Sequence, residues 1–322
     1  MNNRKLPLFR SGAQTSSYGI IQESYDLTFY EEAASDPMDD MSMVRFEYRK
    51  TEPIASVFHS HANYEIFYFH EGRGNYLIGG NIYSLSPGDL ILMHGMTLHC
   101  PNMDESYKYV RTVIGFDPTY IRAIAGPLLT VNLLDPFEQL KNCRFPLQDE
   151  ARSRFEALLA EMNGFHERTD AVSADRFTLS LISLLLEIYD IGQKPQGRGQ
   201  DVSSEKEQTV QKAISYLEEH YVDDVHLDDL GEHLHLNKHY LARTFRDITG
   251  VTIFTYLYRR RVNQAKIKFL LERELSVTDV CFQVGFKNLS HFSRVFKQQV
   301  GQTPEQFRRM AKSQPEQNPV LE

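Results

Sequence analysis

Apolar residues in the last third of the chain recur at helical spacing, and they do so twice. The first run, VHLDDLGEHLHLNKHYLARTFRDITG (225–250), carries Leu227, Leu230, Leu234 and Leu236. The second, LSVTDVCFQVGFKNLSHFSRVFKQQVG (275–301), places Val277, Val280, Val284 and Phe286 at the same positions 50 residues on. After one inserted residue, Leu241, Arg243, Phe245 and Gly250 match Phe292, Arg294, Phe296 and Gly301 at a spacing of 51. This spacing buries one face of each helix, and each copy ends on a helix-stopping glycine. Each copy therefore predicts a helix-turn-helix, and two of them let one chain reach two successive major-groove faces of DNA.

Capping residues extend the prediction to seven helices over 207–310. Asn237 and Asn288 stand where they can cap the second helix of each copy. Ser276 with Asp279, and Thr303 with Gln306, have the spacing of capping boxes, and Pro304 suits a first helical position. A long helix over about 253–272 carries Arg259, Arg260 and Arg261 and joins the two copies.

Upstream the period changes. From about 43 to 117, short aromatic and β-branched runs such as MVRFEYRK, YEIFYFHEG and YKYVRTVIGFD are split by Gly and Pro turns, which predicts a small antiparallel barrel or jelly roll. Gly79-Gly80-Asn81 is a hairpin signal, and Ser86-Pro87-Gly88-Asp89 is a further turn. From 147 to 191 the pattern is helical, with one stripe of Phe155, Leu158, Leu159 and Met162 and another of Phe177, Leu181, Leu184, Leu185 and Ile188. Two roles fit the stripes: closing the barrel's open side, or forming a dimer interface of antiparallel helices. Residues 192–208, GQKPQGRGQDVSSEKEQ, read as a flexible linker, and the last residues as a frayed tail.

The net charge of −8 is unevenly spread. Residues 1–205 hold 18 Lys and Arg against 28 Asp and Glu, whereas 206–313 hold 17 against 13. Only the helical end therefore suits phosphates. The N-terminal MNNRKLPLFR has no apolar core of a signal peptide, and Ser183, Glu187 and Asp190 interrupt the most apolar stretch, 179–191. Three cysteines, Cys100, Cys143 and Cys281, without a CxxC fit a reducing compartment. A cytoplasmic protein with no membrane partner is expected, with Cys281 as inert packing.

The helical end resembles the AraC/XylS family of bacterial transcription regulators over roughly 100 residues. The resemblance is carried by YLARTFRDITGVTIFTYLYRRRVNQAKIKFLL and by VTDVCFQVGFKNLSHFSRVFKQQVGQTPEQFR. Gly231 stands where the family usually has Ala, and His226 where a Ser or Thr cap is common; each departure softens the helix by ~1 kcal/mol. The resemblance implies that the third and sixth helices enter adjacent major grooves. By position the first presents Lys238, His239, Ala242 and Arg243, and the second Leu289, Ser290, His291 and Arg294. Arg243 and Arg294 can each bond guanine O6 and N7 together, worth ~1–3 kcal/mol of discrimination. Lys287, Lys297 and Arg261 are candidates for phosphate contact or for an ordinary solvated face.

The β-rich half has its own pattern, His59-x-His61-x3-Glu65-x6-Gly72 followed by Gly88-x10-His99. It resembles the two cupin motifs, in which three His and one Glu point into a small barrel and hold a divalent metal. His59 and His61 lie two apart on an extended run and so face one side. Pro53 stands where the first motif has Gly, His94 where the second has Pro, and Asn102 is displaced from the terminal Asn. His59, His61, Glu65 and His99 are thus candidate ligands for a divalent metal, the one cofactor the pattern allows. The same residues with Phe67, Tyr76 and Tyr83 could instead bind an effector, their polar groups to sugar hydroxyls and their rings by stacking. Phe58 and Tyr64 offer further ring faces.

The expected fold class is α+β in two domains: a cupin-like β-barrel or jelly roll with flanking helices, then an all-α double helix-turn-helix. The expected boundaries are an N-terminal arm (1–20), the barrel (21–118), a helical dimerisation region (119–191), a linker (192–206), the DNA-binding domain (207–311, with units near 227–248 and 277–299) and a tail (312–322). The arm, with Arg4, Lys5 and Arg10, is a candidate switch element. The expected function is sequence-specific DNA binding controlled by a small effector, a sugar or glycoside first. The alternative is a metal-dependent cupin sensor or cupin enzyme fused to the same DNA-binding module. Expected partners are double-stranded DNA, a carbohydrate-like effector, a second copy of the chain and, for an activator, RNA polymerase. No enzymatic activity is expected.

Overall fold

The structure, a computed structural model, describes residues 43–52, 58–193 and 204–313. The N-terminal arm, most of the expected linker and nearly all of the tail lie outside the described residues. The chain order is β1 (Val44–Lys50), β2 (Tyr64–Glu71), β3 (Gly74–Ile78), β4 (Asn81–Ser84), β5 (Asp89–Met93), β6 (His99–Met103), β7 (Val110–Phe116), α1 (Pro118–Ala125), α2 (Asp135–Leu140), β8 (Cys143–Pro146), α3 (Asp149–His166) and α4 (Ala171–Gln193). Then come α5 (Glu205–His220), α6 (Leu227–Leu234), α7 (Lys238–Thr249), α8 (Ile253–Leu271), α9 (Val277–Gln283), α10 (Leu289–Val300) and α11 (Pro304–Ser313).

The strands form a five-stranded sheet, β1-β7-β2-β5-β8, and a three-stranded sheet, β4-β3-β6, all paired antiparallel. Alternation assigns each strand's faces. On β2, Phe67 and Phe69 face inward and join Tyr76, Ile78, Ile91, Met93, Tyr109 and Val113 between the sheets. Tyr64, Ile66 and Tyr68 face outward and pack under α1–α4. The hairpin at Gly79-Gly80 has positive φ at both glycines, as its sequence requires.

Both apolar helix stripes are spent on this outer face. Phe155, Leu159, Met162, Leu181, Leu184, Leu185 and Ile188 are all fully buried against the sheet. They close the barrel within one chain, the first of the two roles the stripes fit, with Leu158 and Phe177 partly buried. On α4, Val172 and Leu179 are the large apolar side chains left exposed, Leu179 by 61%.

The seven helices of the DNA-reading half form where the caps place them. Asn237 accepts from the His239 and Tyr240 amides, Asn288 from His291, and Ser276 with Asp279 makes a reciprocal capping box. Thr303 exchanges bonds with Gln306. His226 caps nothing with its side chain. At Gly231 an added Cβ would lie 2.9 Å from the Leu236 carbonyl, so the turn into α7 runs closer than the Ala usual in the family would allow.

One boundary moves. The expected linker hides the start of α5, where Ser204 and Glu207 form a capping box. That helix lies on the barrel: Glu207 accepts from Ser84 Oγ at 2.6 Å, and Gln211 bonds the Ile82 amide and the Gly80 carbonyl. Phe58, Leu77 and Cys100 on the outer side of the three-stranded sheet share one core with Val210, Ile214, Leu241, Phe245 and Tyr256. The second helix-turn-helix has a core of its own, built from Val262, Phe269, Val280, Cys281, Phe292 and Phe296. The three cysteines are free. Among the described residues no helix is long and apolar enough to cross a membrane.

Candidate DNA-reading face and barrel site

Both second helices keep the faces expected to read DNA open. On α7, His239 is exposed and the Arg243 side chain is 85% exposed, with Asp247 4.0 Å away. Lys238 ion-pairs with Asp228 at 2.7 Å, and Ala242 is half-buried against the shared core. On α10, Ser290, Arg294 and Lys297 are exposed. His291 instead lies edge-on to Tyr258 and Phe286, at 5.2 and 5.6 Å, and burial with the Arg294 and Arg261 charges lowers its pKa. Lys287, before the helix, pairs with Asp224 in the loop after α5. A phosphate reaching Lys238 or Lys287 would meet the carboxylate of Asp228 or Asp224 beside it.

The basic run on α8 does not face phosphates. Arg259 donates to the Phe58 carbonyl at 2.6 Å, and Arg260 pairs with Glu218 at 2.7 Å over the Tyr221 ring. Arg261, only 6% exposed, donates to the Tyr221 and Asp223 carbonyls. This overturns the phosphate or solvated reading of Arg261: its fork is spent on two carbonyls of the loop after α5. Gly285, at φ +88°, packs against the same loop, where a Cβ would lie 2.7 Å from the Val222 carbonyl and 2.8 Å from that of Tyr221. The 221–224 loop is thus gripped by α8 on one side and the second unit on the other, which fixes the two reading units to each other.

Inside the barrel, His59, His61 and His99 converge so that one ligand nitrogen from each lies within 4.8 Å of the others. His59 and His99 form a two-way backbone bridge, and their rings sit 4.0 Å apart. His99 Nδ1 bonds the Thr97 carbonyl at 2.9 Å, which leaves Nε2 with its lone pair. That Nε2 is buried and has no hydrogen-bond partner among the described residues. Burial first, then the neighbouring His59, drives the His99 pKa well below its ordinary value, so the ring is neutral.

Glu65 joins the cluster as a brace rather than as a fourth convergent ligand. Its Oε2 accepts from His61 Nε2 at 3.0 Å. Burial alone would raise its pKa, but the His61 hydrogen bond and the electrostatic influence of the histidine cluster bring it down to about 2. Gly115 is paired with Glu65 on β2 and with Arg45 on β1. Among the described residues a Cβ there would meet only the Arg45 Cβ, at 3.8 Å, and the inner face beside Glu65 is open among them. Phe67 and Tyr76 line the same interior, with Tyr83 half-buried at its edge. Two of the expected ring faces lie elsewhere: Phe58 packs edge-on to Tyr256 of α8, and Tyr64 lies among Phe116, Phe137 and His94 beneath the helices. Alternation around His59 and Glu65 turns each of them away from the interior.

Two exposed reading helices fixed to a barrel with a polar interior define a DNA-binding regulator with a ligand-binding domain. Residues 42–186 match the AraC-like ligand binding domain, and residues 230–310 match a helix-turn-helix domain. The chain belongs to the AraC family of transcription regulators. It is 24% identical over 254 residues, 78% of its length and 86% of the other's, to the transcriptional activator RhaS of Escherichia coli. It is 37% identical over 100 residues to an uncharacterized HTH-type regulator from the cgkA 5′ region of Pseudoalteromonas carrageenovora. It is also 33% identical over 97 residues to the bifunctional transcriptional activator and DNA repair enzyme AdaA of Bacillus subtilis. The last two matches span 31% and 30% of this chain and 58% and 46% of those proteins.

Proposed function

We propose that the chain is a one-component regulator that reads an operator through Arg243 and Arg294 and takes its input at the histidine cluster of the barrel. The observation that carries the input reading is the buried, unpartnered Nε2 of His99 facing His59 and His61. Such a nitrogen costs free energy unless something binds it. Three imidazoles beside a carboxylate suit a borderline divalent transition metal, and the Thr97 carbonyl already fixes the His99 tautomer that ligation needs. His59 and His99 would hold the ion, and His61 would join them by releasing either Glu65 from Nε2 or the Asn63 carbonyl from Nδ1. The bound ion would supply a Lewis-acidic point in the barrel.

The space at Gly115 favours a second reading, a small hydroxylated effector such as a sugar lying between Tyr76 and the histidines. Metal analysis and thermal-shift titration of the full chain with divalent metals, sugars and glycosides separate the two. A stabilised state with metal alone supports the first, and a response to sugar after chelation supports the second. The chain regulates rather than catalyses, and the repair activity in the AdaA name is not carried over. A homodimer would use the exposed Val172 and Leu179 face of α4, and a strict monomer at tens of micromolar by sedimentation would reject it.

A further inference from the structure

The segment that carries His59 and His61 is also the segment the DNA-reading half holds. Side chains alternate along an extended run. His59 and His61 turn to the barrel interior, and Ser60 between them turns outward to α8. Its Oγ donates to Asn263 Oδ1 at 2.5 Å, with both residues buried. Asn263 Nδ2 donates to the Met96 carbonyl at 3.1 Å, and the Met96 amide returns to the His61 carbonyl at 2.5 Å. Lys266 Nζ donates to the Ser60 carbonyl and hydroxyl at 2.8 and 3.0 Å. Arg259, Asn263 and Lys266, four and three residues apart, lie along one face of α8. The next residues on that helix, Arg260 and Arg261, hold α5 and the 221–224 loop.

We propose that Ser60 and Asn263 are positioning residues that couple the histidine cluster to the reading head, so that filling the cluster fixes the 58–61 segment and Asn263 passes the constraint to α8. This rests on the histidine cluster being an input site. A buried polar pair is either made or broken, which supplies the two-state element that coupling requires. A ligand shifts that equilibrium only by binding the made arrangement more tightly, and the coupling is reciprocal.

The test uses the full chain and Co²⁺ alone, with visible absorption to follow binding and hydrogen–deuterium exchange to follow α8. In the wild type, Co²⁺ is expected to slow exchange around 58–61 and over α8 by fivefold or more. In Asn263→Ala, Co²⁺ should bind within about threefold of wild type while α8 no longer responds. Lys266→Met, at a half-buried site that tolerates change, should weaken the response in the same direction. The cobalt-dependent difference is the readout, since a merely structural role would change the absolute exchange and leave the difference intact. Cobalt binding with an unresponsive wild-type α8, or an α8 response that survives both substitutions, overturns the coupling and leaves the metal reading standing. A flat cobalt titration overturns the metal reading and the coupling with it.

Discussion

Arg261 Nε donates to the Tyr221 carbonyl at 2.6 Å and makes the guanidinium a brace between the two reading units. Arg261→Ala would remove this donor from the Tyr221 carbonyl and leave the Asp223 carbonyl with the Val225 amide alone. The expected cost is about 2–4 kcal/mol in chemical denaturation. The slope of log affinity for DNA against log salt should stay unchanged, whereas loss of a phosphate contact would reduce it by about one.

Arg294 is exposed on α10 in the place that Arg243 occupies on α7. Arg294→Ala is expected to lower affinity for the operator by about 1–3 kcal/mol and to relax specificity at one position. Non-specific, salt-sensitive binding should be largely kept. Competition titrations against random duplex check this, and an equal loss on every sequence would exclude base reading.

Gly285→Ala puts a Cβ into the Tyr221 and Val222 backbone at a positive φ, where the loop cannot move without releasing Arg261. A loss of about 2–5 kcal/mol is expected. Gly301, also at positive φ, has nothing within 4 Å of such a Cβ among the described residues, so Gly301→Ala should cost only about 1 kcal/mol of backbone strain. The difference between the two melting curves isolates the packing.

His70 governs an acid limb of stability. It is buried between Arg49 of β1 and Thr112 of β7, with Tyr68, Glu156 and Arg152 nearby. Burial and the Arg49 charge bring its pKa from 6.5 to about 4. Between these values the unfolded chain binds the extra proton, so stability is full above pH 6.5 and falls as the pH drops toward 4. The loss is on the order of 2–3 kcal/mol. Urea midpoints measured over that range should fall less steeply in His70→Gln than in wild type.

The helical half is legible in the sequence because periodicity and caps agree at Asn237, Ser276, Asn288 and Thr303. Two strands are not. β6, HCPNM, has a proline and no alternation, and it is tolerated as a sheet edge. β8 has only four residues and takes its conformation from pairing with β5. The triad was legible because His59 and His61 share a face, yet the task of Ser60 was not, since a serine between two ligands names no partner. Arg261 reads as a candidate for phosphate contact because charge is visible in a sequence and the carbonyl that consumes it is not. The α5 start was lost in a polar stretch whose only signal is Ser204 with Glu207.

The core that Phe58, Leu77 and Cys100 share with Val210, Leu241 and Phe245 bears on how such chains can be recombined. A chimera joined between α4 and α5 would bring this barrel against another relative's helices along a seam of matched shapes and hydrogen bonds. Interchange of sensing and reading halves therefore demands that the seam be transplanted as well, including Gln211, Asn263 and Lys266. The recombinable unit is the barrel together with the helix surface that it touches.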